Sequence, residues 1–189
     1  MTIFFTSDSH FGHTRILEYS SRPFSSIEEH DETLIKNWNR TVGQRTVVYH
    51  LGDFCLGTPT HAKNVLRRLN GQIHLVYGNH DSRLMKDKEF LHMFSWHGHY
   101  KEISHENQKI ILFHFPIESW NKRHYDSWHL FGHSHGSLPV ADWDKKLDVG
   151  VDVWNYAPVS FEEVKEKMDK KQTKPVDHHG RGHNKKAKK

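Results

Sequence analysis

Short apolar runs alternate in this chain with segments whose apolar residues recur every three or four positions. The short runs are rich in β-branched and aromatic residues, which predicts strands. They cover residues 2–7, 46–51, 72–77, 100–103, 109–113, 128–131 and 146–152. The helical spacing predicts helices that begin at Ser25 and Ser160, each the first residue of a Ser-x-x-Glu capping box, and another over residues 59–69. Strands that alternate with helices are typical of an α/β fold.

Polar side chains follow these strands at the point where each strand ends. They are Asp8, His10, Asp53, Asn79, His80, Asp81, His114, His133 and His135. Each cluster alone is compatible with an ordinary polar turn. Open α/β sheets, however, bind ligands at the carboxyl ends of their strands, so we expect these groups to converge. In an extended chain Asp8 and His10 would also point to the same side.

The donor atoms of this set are carboxylate and amide oxygens and imidazole nitrogens. Such ligands, without a thiolate, suit Mn²⁺, Fe, Ni²⁺ or Zn²⁺. Gly52 precedes Asp53 and leaves room for a close approach of the chain, while Gly78 permits a tight turn before Asn79. The sequence therefore predicts a ligand site at one edge of the sheet, with donor types that such a metal ion accepts.

The length of 189 residues suits one domain with a buried core. No run approaches the roughly 20 apolar residues of a membrane span, so we expect no membrane partner. A single cysteine, Cys55, and an N-terminus that reaches Asp8 without a basic segment favour a cytoplasmic location.

Positive charge is concentrated at the C-terminus. Residues 170–189 contain eight Lys or Arg and one acid, Asp177, a net charge of +7, which leaves −3 for residues 1–169 of a chain whose net charge is +4. We expect a domain over residues 1–172 and a disordered, His-rich basic tail over 173–189. Weak nucleic-acid contact is expected only of this tail, since the rest of the chain is not basic.

The order of these motifs resembles the calcineurin-like metallophosphoesterases. The motifs are Asp8-x-His10, Gly52-Asp53, Gly78-Asn79-His80-Asp81, His114 and Gly132-His133-Ser134-His135. The segments 6–13, 22–24 and 147–152 further resemble small single-domain phosphoesterases of bacteria and their phages. The resemblance implies a two-sheet α/β sandwich flanked by helices, with a dinuclear metal site at one edge.

The resemblance also implies a role for each motif residue. Asp8, His10 and His135 would hold one metal, Asn79, His114 and His133 the other, and Asp53 would bridge them. His80 would stabilise the phosphate or protonate the leaving oxygen, and Asp81 would orient His80. Two divalent ions are expected, with Mn²⁺ favoured.

The expected reaction is hydrolysis of a phosphodiester by a hydroxide held between the two metals. A small phosphorylated or nucleotide substrate, including a cyclic nucleotide, fits this expectation. His13, Arg123 and His124 are candidate substrate contacts, although packing or a solvated loop explains them equally well. The alternatives are a phosphomonoesterase, a nuclease acting on DNA or RNA, and a non-catalytic scaffold, against which the complete ligand set argues.

Overall fold

Nine strands lie within residues 2–173, the part of the chain that this computed structural model describes. In chain order they are β1 (Ile3–Thr6), β2 (Val47–His50), β3 (Gln72–Val76), β4 (Trp96–Gly98), β5 (Tyr100–His105), β6 (Gln108–Phe113), β7 (Trp128–Phe131), β8 (Lys146–Asp148) and β9 (Val159–Ser160). One sheet has the order β4-β3-β2-β1-β9 and the other β5-β6-β7-β8. Strands β1 to β4 are parallel to one another, as are β6 to β8, while β9 and β5 are antiparallel to their neighbours.

Five α-helices accompany the sheets. They are α1 (Ile16–Tyr19), α2 (Ile27–Thr41), α3 (Pro59–Leu66), α4 (Lys88–His92) and α5 (Phe161–Asp169). Short 3₁₀ helices cover Asp81–Lys86, Arg123–Tyr125 and Val151–Val153. No helix within residues 2–173 is long and apolar enough to cross a membrane.

The apolar side chains form two layers. Alternation along β1 and β2 directs Phe5 and Tyr49 into a layer shared with the second sheet, where Leu130 also lies. Val48 points the other way, into the layer formed with α2, where Trp38 is buried. The two-sheet α/β fold with flanking helices is thereby confirmed.

The predicted start of α2 is wrong by one residue. Ser26, not Ser25, is the N-cap, and its hydroxyl accepts a hydrogen bond from the Glu29 N–H. The Glu29 carboxylate accepts hydrogen bonds from the N–H and the hydroxyl of Ser25, the residue before the N-cap. The capping box from Ser160 to Glu163 is confirmed.

Other differences concern short elements and the tail. The predicted strand over 146–152 ends at Asp148, because the Asp148 carboxylate accepts a 2.7 Å hydrogen bond from the Gly150 N–H and the chain then enters a 3₁₀ helix. The strands β4 and β9 and the helix α4 are too short for periodicity to reveal. The predicted disordered tail over 173–189 lies, from residue 174 onwards, outside the described residues.

Candidate metal centre

The predicted ligands lie where the two sheets meet. Asp8, Asp53 and Asn79 follow the parallel strands β1, β2 and β3, while His114 and His133 follow β6 and β7 of the other sheet. A bridge between residues 7 and 150 joins the two sheets at this point. Carboxyl ends of parallel strands from both sheets thus share one edge, as the sequence predicts.

Two overlapping sets of side chains could hold a metal ion within the described residues. Atoms of Asp8, His10 and His135 lie within 4.8 Å of one another, and so do atoms of Asp8, Asp53 and His114. We call Asp8, His10 and His135 the first ligand group. The Asp53 Oδ2 atom lies 3.6 Å from His10 Nε2 and 3.6 Å from His114 Nε2.

Asn79, His114 and His133 form what we call the second ligand group. The Asn79 Oδ1 atom lies 2.9 Å from His114 Nε2 and 2.9 Å from His133 Nδ1. His114 Nδ1 donates a 2.7 Å hydrogen bond to the Leu51 carbonyl oxygen. That bond places the proton of the neutral ring on Nδ1, so Nε2 presents its lone pair to the group.

The buried groups of this edge fit a cation. His10 Nε2 is buried and has no hydrogen-bond partner among residues 2–173, although the Asp53 carboxylate lies nearby. Burial is the main cause that lowers the pKa of His10 and of His114, and a lowered pKa favours the neutral ring, whose lone pair can bind a metal. Burial also raises the pKa of the Asp8 carboxyl well above its usual range, a cost that a neighbouring divalent ion would remove.

Five of the seven predicted ligands have a left-handed backbone. Their φ angles are 57° for Asp8, 50° for His10, 55° for Asp53, 67° for His133 and 47° for His135. Such a conformation costs a residue other than glycine about 1–2 kcal/mol, and it concentrates at functional sites. Asp8 and His10 therefore converge through this bent loop, and the prediction that an extended strand brings them together is wrong.

Three glycines allow the strand ends to approach each other. A Cβ atom on Gly78 would lie 2.2 Å from Asp53 Oδ1, and one on Gly132 would lie 2.4 Å from Asp8 Oδ2. Gly52 has a φ of 98°, and a Cβ there would meet Gly78 N at 2.5 Å, so the predicted need for a close approach is confirmed. Gly78 does not have a positive φ angle, so the backbone conformation does not require a glycine there. The space beside the Asp53 side chain does.

A cleft of about 510 Å³ opens over the first ligand group. His80 and His13 line it together with His10, His133 and His135. The His80 ring centroid lies 5.5 Å from that of His10 and 6.3 Å from that of His13. The His80 side chain is exposed and faces the cleft beside the predicted ligands. Its backbone N–H donates to Asp53 Oδ1.

Asp81 has a different contact from the one predicted. Its carboxylate accepts backbone hydrogen bonds from Asp53, Phe54 and Gly78 at 2.8–3.0 Å. Burial is the main cause that raises its pKa to about 7. These bonds fix the loops after β2 and β3, so Asp81 supports the backbone around Asp53 where the sequence predicted an orienting contact to His80.

Arg123 and His124 do not line the cleft. Arg123 is 2% exposed and donates a 3.0 Å hydrogen bond to Asp144, between the rings of Trp120 and Trp143. The predicted substrate contact by Arg123 is therefore wrong, because its guanidinium is enclosed. His124 lies beside Tyr125, with the two ring centroids 4.3 Å apart.

The sequence reasoning missed three supporting residues. Asp152 accepts a 2.7 Å hydrogen bond from His135 Nδ1 and a bidentate pair from Arg22. Asp148 accepts from the Ser134 hydroxyl and the Gly136 N–H, which holds the loop that carries His135. The segments 22–24 and 147–152 were noticed, but nothing in their pattern indicates that they meet in space.

The sequence matches the Calcineurin-like phosphoesterase superfamily domain over residues 1–151. The chain therefore belongs to this superfamily of metal-dependent phosphoesterases. Its members use divalent metals, and the candidate ligand groups agree with that chemistry.

Two relatives and one solved structure resemble the chain over most of its length. An uncharacterized protein of Methanocaldococcus jannaschii is 35% identical, with 89% of this chain and 92% of that protein covered. The gene 66 protein of Mycobacterium phage L5 is 27% identical, with 79% and 86% covered. The crystal structure of a protein of unknown function from Aquifex aeolicus has a TM-score of 0.67 and 24% identity, covers 87% of this chain and 98% of its own, and shares the fold.

Proposed function

We propose that this protein is a dinuclear metal-dependent phosphodiesterase that hydrolyses a small phosphorylated or nucleotide substrate. One observation carries the proposal. The same oxygen, Asp53 Oδ2, lies 3.6 Å from His10 Nε2 of the first ligand group and 3.6 Å from His114 Nε2 of the second. A carboxylate in that position is suited to bridge two ions, and Mn²⁺ is the ion we favour, with Fe, Ni²⁺ and Zn²⁺ as alternatives.

Two divalent ions, when bound, supply Lewis acidity and a nucleophile formed from water. In this proposal the side chains of both ligand groups hold these ions, with Asp53 shared between them. The carboxylates of Asp8 and Asp53 cannot neutralise two divalent ions, so the cleft keeps a positive charge that attracts a phosphoester. The buried position of Asp8 keeps this charge poorly screened by solvent.

His80 is the proposed proton donor to the leaving oxygen. Its ring lines the cleft, and its backbone N–H donates to Asp53 Oδ1 at 2.8 Å, which fixes the main chain at this residue. A diester is favoured because an alkoxide leaving group needs a proton from a general acid more than an activated group does. His13 is the proposed substrate contact, since its ring lies on the same cleft wall.

Metal content and activity on two esters test the proposal. The purified chain should contain divalent metal by elemental analysis and should hydrolyse bis(p-nitrophenyl) phosphate faster than p-nitrophenyl phosphate. Chelation should abolish both activities, and added Mn²⁺ should restore them.

Other outcomes identify the alternatives. Preference for the monoester would make the protein a phosphomonoesterase, and cleavage of a DNA or RNA oligonucleotide with little action on small diesters would make it a nuclease. Bound metal without turnover of any ester would favour a scaffold.

A further inference from the structure

Arg22 lies directly behind the first ligand group. It is 4% exposed, and its guanidinium makes five polar contacts at 2.7–3.1 Å. The partners are the carbonyl oxygens of Asp8 and Ser9, both carboxylate oxygens of Asp152, and His30 Nε2. A buried side chain that uses its whole fork in this way fixes all of these groups relative to one another.

Two of these contacts hold the bent loop that carries Asp8 and His10. Nη2 donates to the Asp8 carbonyl at 2.7 Å, and Nη1 donates to the Ser9 carbonyl at 3.1 Å. The Asp8 N–H donates to the Gly52 carbonyl on the other side. The left-handed conformation of Asp8 and His10 therefore persists because the surrounding bonds fix the peptide groups between them.

The third and fourth contacts reach His135 through Asp152. Nε and Nη2 of Arg22 donate to the two Asp152 oxygens at 2.8 and 2.7 Å. Asp152 Oδ2 also accepts the 2.7 Å hydrogen bond from His135 Nδ1. This bond turns His135 Nε2 towards Asp8, whose Oδ1 atom lies 3.9 Å away.

The fifth contact reaches the end of the same loop. His30 Nε2 accepts from Arg22 at 2.8 Å, so His30 Nδ1 donates to Asp31, also at 2.8 Å. The Asp31 carboxylate in turn accepts from the Gly12 N–H at 3.0–3.2 Å. One guanidinium therefore connects both ends of the loop over residues 8–12.

We infer that Arg22 is the positioning residue of the first ligand group, which sets the backbone of Asp8 and, through Asp152, the ring of His135. This role rests on the proposed metal binding. It depends on the planar fork of the guanidinium, because a lysine ammonium keeps the charge but cannot bond two carbonyls and both oxygens of a carboxylate at once.

The test compares Arg22→Lys with a matched buried pair elsewhere in the chain. Arg123 and Asp144 form such a pair, with side chains 3% and 4% exposed and a 3.0 Å contact. Calorimetric titration of the full, metal-free chain with Mn²⁺ gives the affinity, and thermal unfolding without metal gives the stability. Arg22→Lys should bind one Mn²⁺ roughly 10–100-fold more weakly, the range for residues that orient metal ligands. Arg123→Lys should lower the unfolding temperature while its Mn²⁺ affinity stays within twofold of the wild type.

Asp152→Asn is the second variant, for the case that Arg22→Lys does not fold. The amide keeps the size of the side chain but replaces one of the oxygens that accept from Arg22 and His135. This substitution should also lower the affinity for one Mn²⁺ by at least tenfold. If either Arg22→Lys or Asp152→Asn folds and binds both Mn²⁺ ions with wild-type affinity, the inference is overturned. An equal loss of Mn²⁺ affinity in the Arg123→Lys control would overturn it too, because it would indicate general destabilisation. Absence of binding of Mn²⁺, Fe²⁺, Ni²⁺ and Zn²⁺ by the wild-type chain would instead refute the proposed function, and with it the metal binding on which this inference rests.

Discussion

The two ligand groups are held in different ways. In the first, Asp8 and His10 are buried, and bonds from Arg22 and Asp152 fix the loop and the ring of His135. In the second, His114 is buried and fixed by Leu51, whereas the side chains of Asn79 and His133 are exposed. Asn79 Oδ1 lies 2.9 Å from both His114 and His133, and no hydrogen bond from a buried cation fixes either residue within the described part of the chain. A preorganised group loses less freedom when it binds an ion. We therefore expect the first group to bind its metal more tightly and the second to adjust to the substrate.

The largest expected effect comes from the residue shared by the two groups. Asp53→Asn should release or weaken both metals together, because the same carboxylate faces His10 and His114. Its activity should fall further than the roughly 10–100-fold that loss of a supporting contact costs. Metal analysis and rates on the aryl diester measure both effects. Asp169→Asn, at an exposed ion pair with Lys165, is the control and should change neither. Near-normal turnover with two tightly held ions would contradict the bridging role.

The next effect separates His80 from both groups. His80→Ala should keep two metals and lose roughly 10²–10⁴-fold in turnover, as expected for a general acid. The loss should be smaller for a nitrophenyl ester than for an ester that expels an alkoxide. The exposed His92 at the end of α4 supplies the control, His92→Ala, which should behave as the wild type.

Two outcomes would change this assignment. Equal losses on both esters would indicate that His80 stabilises the phosphate. Loss of a metal would place His80 in one of the groups, and the comparison between them would then need revision.

A smaller effect measures the difference between the groups directly. Titration with Mn²⁺ should give two dissociation constants that differ by at least about tenfold, which corresponds to ~1.4 kcal/mol. His133→Ala should remove the weaker constant and leave the tighter one, whereas His135→Ala should do the reverse. Two equal constants would show that the buried bonds around Asp8 give the first group no advantage.

The smallest effect is expected from the basic tail. Deletion of residues 174–189 should leave metal affinity and hydrolysis of a small ester nearly unchanged, since the proposed ligands all precede them. It should weaken binding to a single-stranded oligonucleotide and reduce the salt dependence of that binding. A substantial loss of activity on the small ester would place the tail at the site and refute the predicted domain boundary.

The sequence was sufficient for the fold and for the location of the site. Apolar runs such as the one before Gly78 mark buried strands, and a polar residue after each run marks the sheet edge. Local patterns carry this information because alternation and turn chemistry act over a few residues. The predicted convergence of Asp8, Asp53 and His114 depended only on parallel strands that end together.

The supporting contacts could not be predicted, since they depend on distant pairings. Arg22 and Asp152 are 130 positions apart, and nothing local distinguishes their bond from a solvated pair. Arg123 looked like a substrate contact because cations near aromatic residues often bind ligands, but here Asp144 pairs with it in the interior. The left-handed backbone at Asp8 and His10 likewise results from tertiary bonds, and intrinsic preference would not reveal it.

The order of the ligands along the chain has a consequence for folding. They span residues 8 to 135 and follow strands of both sheets, so no local segment can assemble the centre. Parallel strands can pair only after the long connection between them has closed, and the entropy cost of that closure makes their pairing slow. An ion that binds only the finished arrangement cannot nucleate it, but at 100 times its dissociation constant it adds about 2.7 kcal/mol to the free energy of unfolding. Divalent metal should therefore leave the folding rate unchanged and slow the unfolding of chains in which both sheets have already formed.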